Sequence, residues 1–397
     1  MKFLDKSFYA KRISPHDGEY FFGYYDLQPF CGNLHLTHKI KDADTLHKRG
    51  DKAEVGILDI NTAKYEKLDE TGAWCFQQGA MLQWNPAAPK DEVIYNSLAE
   101  NDYNATILNI HTGKKRFLDR PIANVSPLGD YALSINFGRM YDFRPGYGYA
   151  EFRDGFYWDK HSKEDGVFLI DLKTGKSKLV LSMDEIWEFC KGYFGGRDEK
   201  LIINHINFNT DGSRFVMLVR NFPSGGQGHM TALITANRDG SDMYMLSDFG
   251  IQSHYHWKDK DTLLIYSDGK ELKGPHWWGG NYIMKDKTHE GHLIADGWFI
   301  GDNHMSFSPD RKLMLTDQYP LADGTQPIRM YSFEKNICVN MGYFHSIKRS
   351  VGDLRCDLHP RWNQDGSMIS FDSTHEGRRD VYVMDIESIK DHLFDEY

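Results

Sequence analysis

Ile203-Asn204-His205-Ile206-Asn207-Phe208-Asn209-Thr210-Asp211-Gly212-Ser213-Arg214-Phe215-Val216 is the stretch whose reading decides the fold. It opens as a short strand carrying a histidine, breaks at a polar Asp-Gly turn, and resumes as a more apolar strand. The design returns as His304-Met305-Ser306-Phe307-Ser308-Pro309-Asp310 and as His359-Pro360-Arg361-Trp362-Asn363-Gln364-Asp365-Gly366. A looser copy is His254-Tyr255-His256-Trp257-Lys258-Asp259-Lys260-Asp261. In all four, a histidine stands three residues before an aromatic.

Anchoring each copy on its aromatic or apolar residue gives Phe30, Trp84, Val125, Phe208, Trp257, Phe307 and Trp362, spaced by 54, 41, 83, 49, 50 and 55 residues. Propeller blades repeat at roughly 40–50 residues. Seven anchors therefore predict an all-β protein, a seven-bladed β-propeller of four-stranded antiparallel blades. Within a unit the third strand is exemplified by Ala53-Glu54-Val55-Gly56-Ile57-Leu58-Asp59-Ile60, and turns such as His111-Thr112-Gly113-Lys114 lead to an outer strand. A four-stranded sheet cannot bury both faces alone, and radial packing of blades solves that problem. An aromatic content of 14% and 36 glycines suit a turn-rich β protein.

The reading makes residues 1–397 a single propeller domain. The 83-residue gap holds an insertion at about 137–165, predicted to lie over the channel mouth, and a helix from Met183 to Tyr193. The segment around Phe8 to Ile13 is expected to supply an outer strand that closes the ring. A short polar helix is expected from Glu387 to Tyr397, and Gly225-Gly226-Gln227-Gly228 reads as a hairpin tip.

The net charge of −10, with no dense run of lysine or arginine, argues against nucleic acid as a partner. Five scattered cysteines without a CxxC pair support neither a disulfide framework nor a thiolate zinc site. No stretch reaches transmembrane length, so no membrane partner is expected. The start lacks the apolar core of a signal peptide, which predicts a cytoplasmic protein, or a periplasmic one if a leader was trimmed. Oligomeric state is left open.

In such blades the residue three before the aromatic begins the innermost strand, so His205, His254, His304 and His359 are expected to converge on one pocket. A lone histidine there reads most simply as a hydrogen-bonding cap; four in register do not. Converging neutral imidazoles suit a divalent metal such as Mn, Zn, Fe or Ni. Asp302 and Asn303 are nearby oxygen donors. Asp357, two residues before His359, leaves the same face of an extended strand, so Asp357 and His359 form a half-site with His304 from the neighbouring blade.

Arg220, Arg355, Arg378 and Arg379 are basic groups of the same blades, and arginine forks fit planar carboxylates. Arg355, Arg378, Tyr319 and His375 are taken as substrate-binding candidates. Phe143, Tyr147, Tyr149, Phe156, Tyr157, Trp158 and the pair Trp277-Trp278 can offer sugar-stacking faces, about half of them being packing residues instead. There is no GxSxG elbow, P-loop or strand-borne GxGxxG, and no acidic pair stands out as the histidines do.

The repeated H-x-x-[FW]-[SN]-x-D-G units resemble TolB-like and WD40-like propellers. Within that group the inner-strand histidines resemble the oligogalacturonate lyases, seven-bladed propellers that bind manganese and cleave uronides by β-elimination. The resemblance covers the whole chain at the level of blades. It implies that His304 and His359 are metal ligands, that His254 matches the histidine of the preceding blade, and that Arg220 is a candidate for the arginine serving the chemistry. The family's last blade resembles Q-x-x-H-x-H, whereas this chain has Leu354-Arg355-Cys356-Asp357-Leu358-His359, with Asp357 in place of one histidine and no glutamine.

The implied activity is lyase cleavage of a uronic-acid glycan, the partner being an acidic oligosaccharide or polysaccharide, with manganese as the expected cofactor. His254, His205 or Arg220 removes the C5 proton. The rival readings are a propeller that binds a glycan or a protein without turnover, and a hydrolase of an acidic sugar.

Overall fold

The structure is a computed structural model that describes residues 2–223, 228–270, 272, 279–295, 298–299, 301–349, 351–387 and 392–395. It is a seven-bladed β-propeller of four-stranded antiparallel blades. Each of the seven anchors lies on the innermost strand of its blade. These strands are Phe30–Cys31, Gln83–Trp84, Asn124–Val125, Leu201–Phe208, Tyr255–Trp257, Met305–Phe307 and Arg361–Trp362.

Local chemistry repeats with the blades. At the turn into the fourth strand, a side-chain oxygen of Asp59, Asn109 or Asp171 accepts the backbone N–H of Thr62, Thr112 or Thr174 at 2.8, 2.9 and 2.8 Å. The residue after each threonine has positive φ, which explains Gly113 and Gly175 and makes Ala63 the exception at φ 55°. The first turn uses Asp211 and Asp365, whose carboxylates accept Ser213 N and Ser367 N. Middle strands such as Arg214–Asn221 are buried throughout because both sheet faces are covered, while the outer strand Lys64–Thr71 is polar and largely exposed.

The described chain divides into two compact units. One comprises Met1–Trp84, His254–His256 and Gly301–Tyr397, and so holds the first, sixth and seventh blades. Its sixth and seventh blades pack through Leu315, Met330, Val339, Phe371, Tyr382 and Met384, and its seventh and first through Ile13, Tyr20, Phe30, Leu58 and Val383. Lys11–Arg12 pairs antiparallel with Tyr382 and Val383 on the seventh blade's outer edge, inside the segment expected to close the ring. Lys2–Asp5, for which the sequence reading had no role, adds a parallel fifth strand to the sixth blade. In the first blade the inner edge is split: Glu19–Phe21 and Phe30–Cys31 both pair with Leu34–Ile40, and residues 22–29 leave the sheet between them.

The other unit is Asn85–Ser253 with Trp257–Ile300. Its insertion forms a helix, Phe137–Phe143, capped by the Asn136 side chain, which accepts from Arg139 N. Tyr149 stacks on Phe137 at 4.2 Å and is fully buried with Tyr147, so these two rings pack the insertion, while Trp158 is 91% exposed. The expected helix at 183–193 is Met183–Cys190, closed by a Ser182–Glu185 capping box and continued as a 3₁₀ turn, Lys191–Phe194. The hairpin tip at 225–228, apart from Gly228, and Trp277-Trp278 lie outside the described residues. So does most of the C-terminal tail, although Leu393 and Phe394 are buried in the sixth–seventh blade core rather than lying on a polar helix. Among the described residues no helix is long and apolar enough to cross a membrane.

Candidate metal centre

Within the first unit, three histidines stand just ahead of three innermost strands: His254 before Tyr255, His304 before Met305, and His359 two residues before Arg361. Their rings form a row, with centroids 4.1 Å apart from His254 to His304 and 4.2 Å from His304 to His359. The excursion from the first blade lays Tyr24 and Tyr25 against this row, Tyr24 lying 5.1 Å from His359 and Tyr25 5.5 Å from His304. The Tyr25 hydroxyl donates to Tyr255 O at 2.7 Å and accepts from Tyr255 N at 3.1 Å, which ties the excursion to the strand behind His254.

Every imidazole in the row is held by its Nδ1. His304 Nδ1 faces both oxygens of Asp317, at 2.9 and 3.0 Å. The same carboxylate accepts the backbone N–H groups of His304 and His359. His254 Nδ1 meets Asp302 Oδ1 at 2.9 Å, and His359 Nδ1 donates to the Gly23 carbonyl at 2.8 Å. Such partners place the proton on Nδ1 and present the Nε2 lone pair to a ligand. The Nε2 atoms of His304 and His359 are buried without a hydrogen-bond partner among the described residues. An unpaired buried acceptor costs about 1–3 kcal/mol, so both atoms favour a bound electrophile.

Asp357 completes the cluster: its carboxylate and one nitrogen each from His304 and His359 all lie within 4.8 Å of one another, with all three residues buried. Metal–ligand bonds of about 2.0–2.2 Å need only a small inward shift of these side chains. The mixed set of two imidazoles and one carboxylate suits ions such as Mn or Fe. The path to this geometry differs from the expected one. Residues 357–360 are not an extended strand, and His359 takes φ 43°, a left-handed conformation rare for a non-glycine residue. An irregular segment with a left-handed residue at His359, not strand alternation, brings Asp357 and His359 to the same place.

Charge in the cluster also suits a cation. Burial disfavours the His304 imidazolium, but Asp317, with Asp357 and Asp302 behind it, outweighs burial and raises the His304 pKa. Burial alone would raise Asp317, and His304 instead draws it below the usual carboxylate range. His359 is pushed far down, first by burial and then by His304, Arg361, His254 and Arg379, so its imidazole is neutral.

Two further candidates lie in this cluster. Tyr319 meets His304 edge-on at 5.5 Å. Arg355 Nε donates to Asp357 Oδ1 at 2.9 Å, its Nη2 forms an ion pair with Oδ2 at 2.8 Å, and its guanidinium lies over the Tyr319 ring at 5.0 Å. His375 and Arg378 take partners elsewhere in the seventh blade: His375 bonds Ser373 Oγ and packs on Tyr382, while Arg378 bonds Asp380 and Pro15 O. His205 and Arg220 belong to the second unit, buried on adjacent strands, with Arg220 Nη1 donating to Asn204 Oδ1 at 3.2 Å. The residues that sequence reasoning passed over are Asp317, Tyr24, Tyr25 and the Gly23 carbonyl. For Asp317 a signal existed: it lies ten residues after Phe307, as Asp372 lies ten after Trp362. Asp372 has a matching duty, bonding Phe22 N and pairing with Arg361, whose guanidinium also grips Gly23 O.

Comparison of structures bears on the architecture. An oligogalacturonate lyase from Vibrio parahaemolyticus matches with TM-score 0.64 at 14% identity, over 96% of this chain and 94% of that one. In fold, this chain resembles oligogalacturonate lyase. A second match is an oligogalacturonate lyase in complex with manganese, TM-score 0.65 at 15% identity, over 95% and 92% of the two chains. The tricorn protease also matches, TM-score 0.52 at 12% identity, with 95% of this chain aligned to 35% of that one. One architecture thus serves unrelated chemistries, and function has to be argued from the site. Neither a protein-family model nor a curated protein matches the sequence.

Proposed function

We propose that the protein is a metal-dependent, carbohydrate-active enzyme that cleaves a uronic-acid-containing glycan by β-elimination. The observation that carries this reading is the cluster of buried His304, His359 and Asp357, whose histidines are tethered through Nδ1 and leave Nε2 without a hydrogen-bond partner among the described residues. The likeness in fold to a manganese-bound oligogalacturonate lyase supports it. His304, His359 and Asp357 hold the ion, manganese being the first choice. A bound divalent ion polarises the uronate carboxylate and stabilises charge that develops when the C5 proton is lost. His254 takes that proton: Asp302 holds its Nδ1–H and stabilises the imidazolium that forms. The C4–O bond then breaks, leaving a C4–C5 double bond, and the departing glycan oxygen takes up a proton from the imidazolium or from water. Arg355 orients the substrate carboxylate. His254 is preferred to Arg220 because a guanidinium loses its proton only at very high pH.

Elemental analysis of chelator-free protein, followed by incubation with oligouronides, tests this. About one equivalent of bound metal and a new ultraviolet absorbance from the conjugated double bond are expected. A saturated sugar product, or binding without turnover, overturns the lyase assignment.

A further inference from the structure

Asp357 faces two cations' worth of demand. Its carboxylate lies in the cluster with His304 and His359, whose Nε2 atoms are buried without a hydrogen-bond partner among the described residues, yet its Oδ1 accepts Arg355 Nε–H at 2.9 Å and its Oδ2 forms an ion pair with Arg355 Nη2 at 2.8 Å. A carboxylate has about four lone-pair positions, so it can serve an ion and an arginine together, but the two positive charges then repel across it. The Asp357 side chain is fully buried, while that of Arg355 is 21% exposed. Arg355 is therefore the member of the pair that can meet an incoming ligand. Its other contacts include a bond to Gly352 O at 3.2 Å, a long one of 3.4 Å to the Tyr319 hydroxyl, and stacking on the Tyr319 ring.

Resting on the metal reading above, we infer that Arg355 couples the two ligands of this site: a carboxylate-bearing sugar that engages Arg355 tightens the ion held by Asp357. A planar carboxylate offers the guanidinium a bidentate partner, whereas Asp357 accepts one hydrogen bond from it, at Oδ1. Sharing or drawing off that charge removes repulsion from the ion and frees lone pairs on Asp357. Because such coupling is reciprocal, the ion tightens the acidic sugar by the same factor. A neutral sugar has no such effect, so the pair selects free uronates over their esters. The seventh blade's aspartate at position 357, which departs from the resembled histidine pattern, is what makes the coupling available: an imidazole there would offer no anion to Arg355.

The test is a calorimetric titration of Mn²⁺ into the full chain, alone and with saturating free hexuronate or its methyl ester. In the wild-type protein, hexuronate should tighten Mn²⁺ by about 5-fold or more, the scale of ordinary site-to-site coupling, and the ester should not. Arg355→Gln should bind Mn²⁺ more tightly than wild type with no sugar present, and should show no coupling. The sugar-free affinity matters because it does not depend on whether this variant still binds hexuronate. Arg355→Lys keeps the charge without the fork, so it should retain the wild-type Mn²⁺ affinity with weakened coupling. Equal sugar-free Mn²⁺ affinity in wild type and Arg355→Gln, or coupling that survives in Arg355→Gln, overturns the inference while leaving the metal reading intact. Failure of the wild-type protein to bind Mn²⁺ overturns both.

Discussion

In the fourth blade the innermost strand runs through Leu201–Phe208, with an irregularity in pairing between Ile203 and His205; in the sixth it shortens to Met305–Phe307. Both blades carry a histidine three residues before the aromatic. His205 therefore sits inside a strand whose eight residues are all buried, and the sheet dictates where its ring goes. His304 stands outside its strand, and Asp317 dictates where its ring goes. A motif spaced correctly in sequence thus has two outcomes, decided by where the ladder of backbone hydrogen bonds begins.

The strongest test of this contrast is a pair of deletions. His304→Ala or His359→Ala should lower metal affinity by more than the 10–100-fold typical of losing an outer partner, while His205→Ala should leave bound metal unchanged by elemental analysis. Metal loss in His205→Ala would place the two blades on an equal footing and erase the distinction. Next in size is Asp317→Asn, which keeps the shape but removes the charge that orients His304 and caps two backbone N–H groups. Metal affinity should fall about 10–100-fold, measured by competition with a chelating dye.

Glycines near the row sharpen the same point. At Gly23, φ is 128° and a Cβ would come within 2.9 Å of the Gln78 backbone; at Gly32, φ is 56° and nothing lies within 4 Å. Gly23→Ala should cost about 3 kcal/mol in denaturant unfolding, and should also weaken metal binding because His359 and Arg361 both bond the Gly23 carbonyl. Gly32→Ala should cost only about 1 kcal/mol.

A further test concerns histidines of the same unit that have no place in the row. His38 donates to Phe22 O and accepts from Ala80 N, and His35 lies against the rings of Phe22 and Phe30. Burial first of all lowers their pKa values to about 4 and about 3. Both stay neutral when folded, while the unfolded chain takes up protons below its ordinary histidine value near 6.5. Stability should hold above that pH and fall below it, by about 1.4 kcal/mol per pH unit for each histidine, levelling off near pH 4 for His38. Urea midpoints at pH 7, 6 and 5 check this, and His35→Phe should reduce the slope by one proton's share.

The repeat was legible because blade packing demands an aromatic or apolar residue at the inner strand of each unit, and Phe30, Trp84, Val125, Phe208, Trp257, Phe307 and Trp362 all land there. The row of three histidines followed from the same register. What could not be read is set by contacts between distant positions. Gly23 O reaches His359, and Tyr25 reaches Tyr255, across separations no local pattern encodes. The split inner edge of the first blade, which delivers Tyr24 and Tyr25, looks in sequence like an ordinary lead-in to Phe30. The left-handed residue at His359 is likewise a matter of backbone conformation, and an alternation rule is blind to it.

The strands Lys2–Asp5 and Lys11–Arg12 find their partners at Ile337–Asn340 and at Tyr382 and Val383. These pairings join segments far apart in sequence, so their closure carries a large loop entropy to overcome. Removing the first dozen residues strips the outer edge from two blades at once. Such a truncation exposes Ile337–His345 and Asp380–Asp385 as open ladders ready to recruit a strand from another molecule. Loss of these edge strands thus turns a folding problem into an association problem.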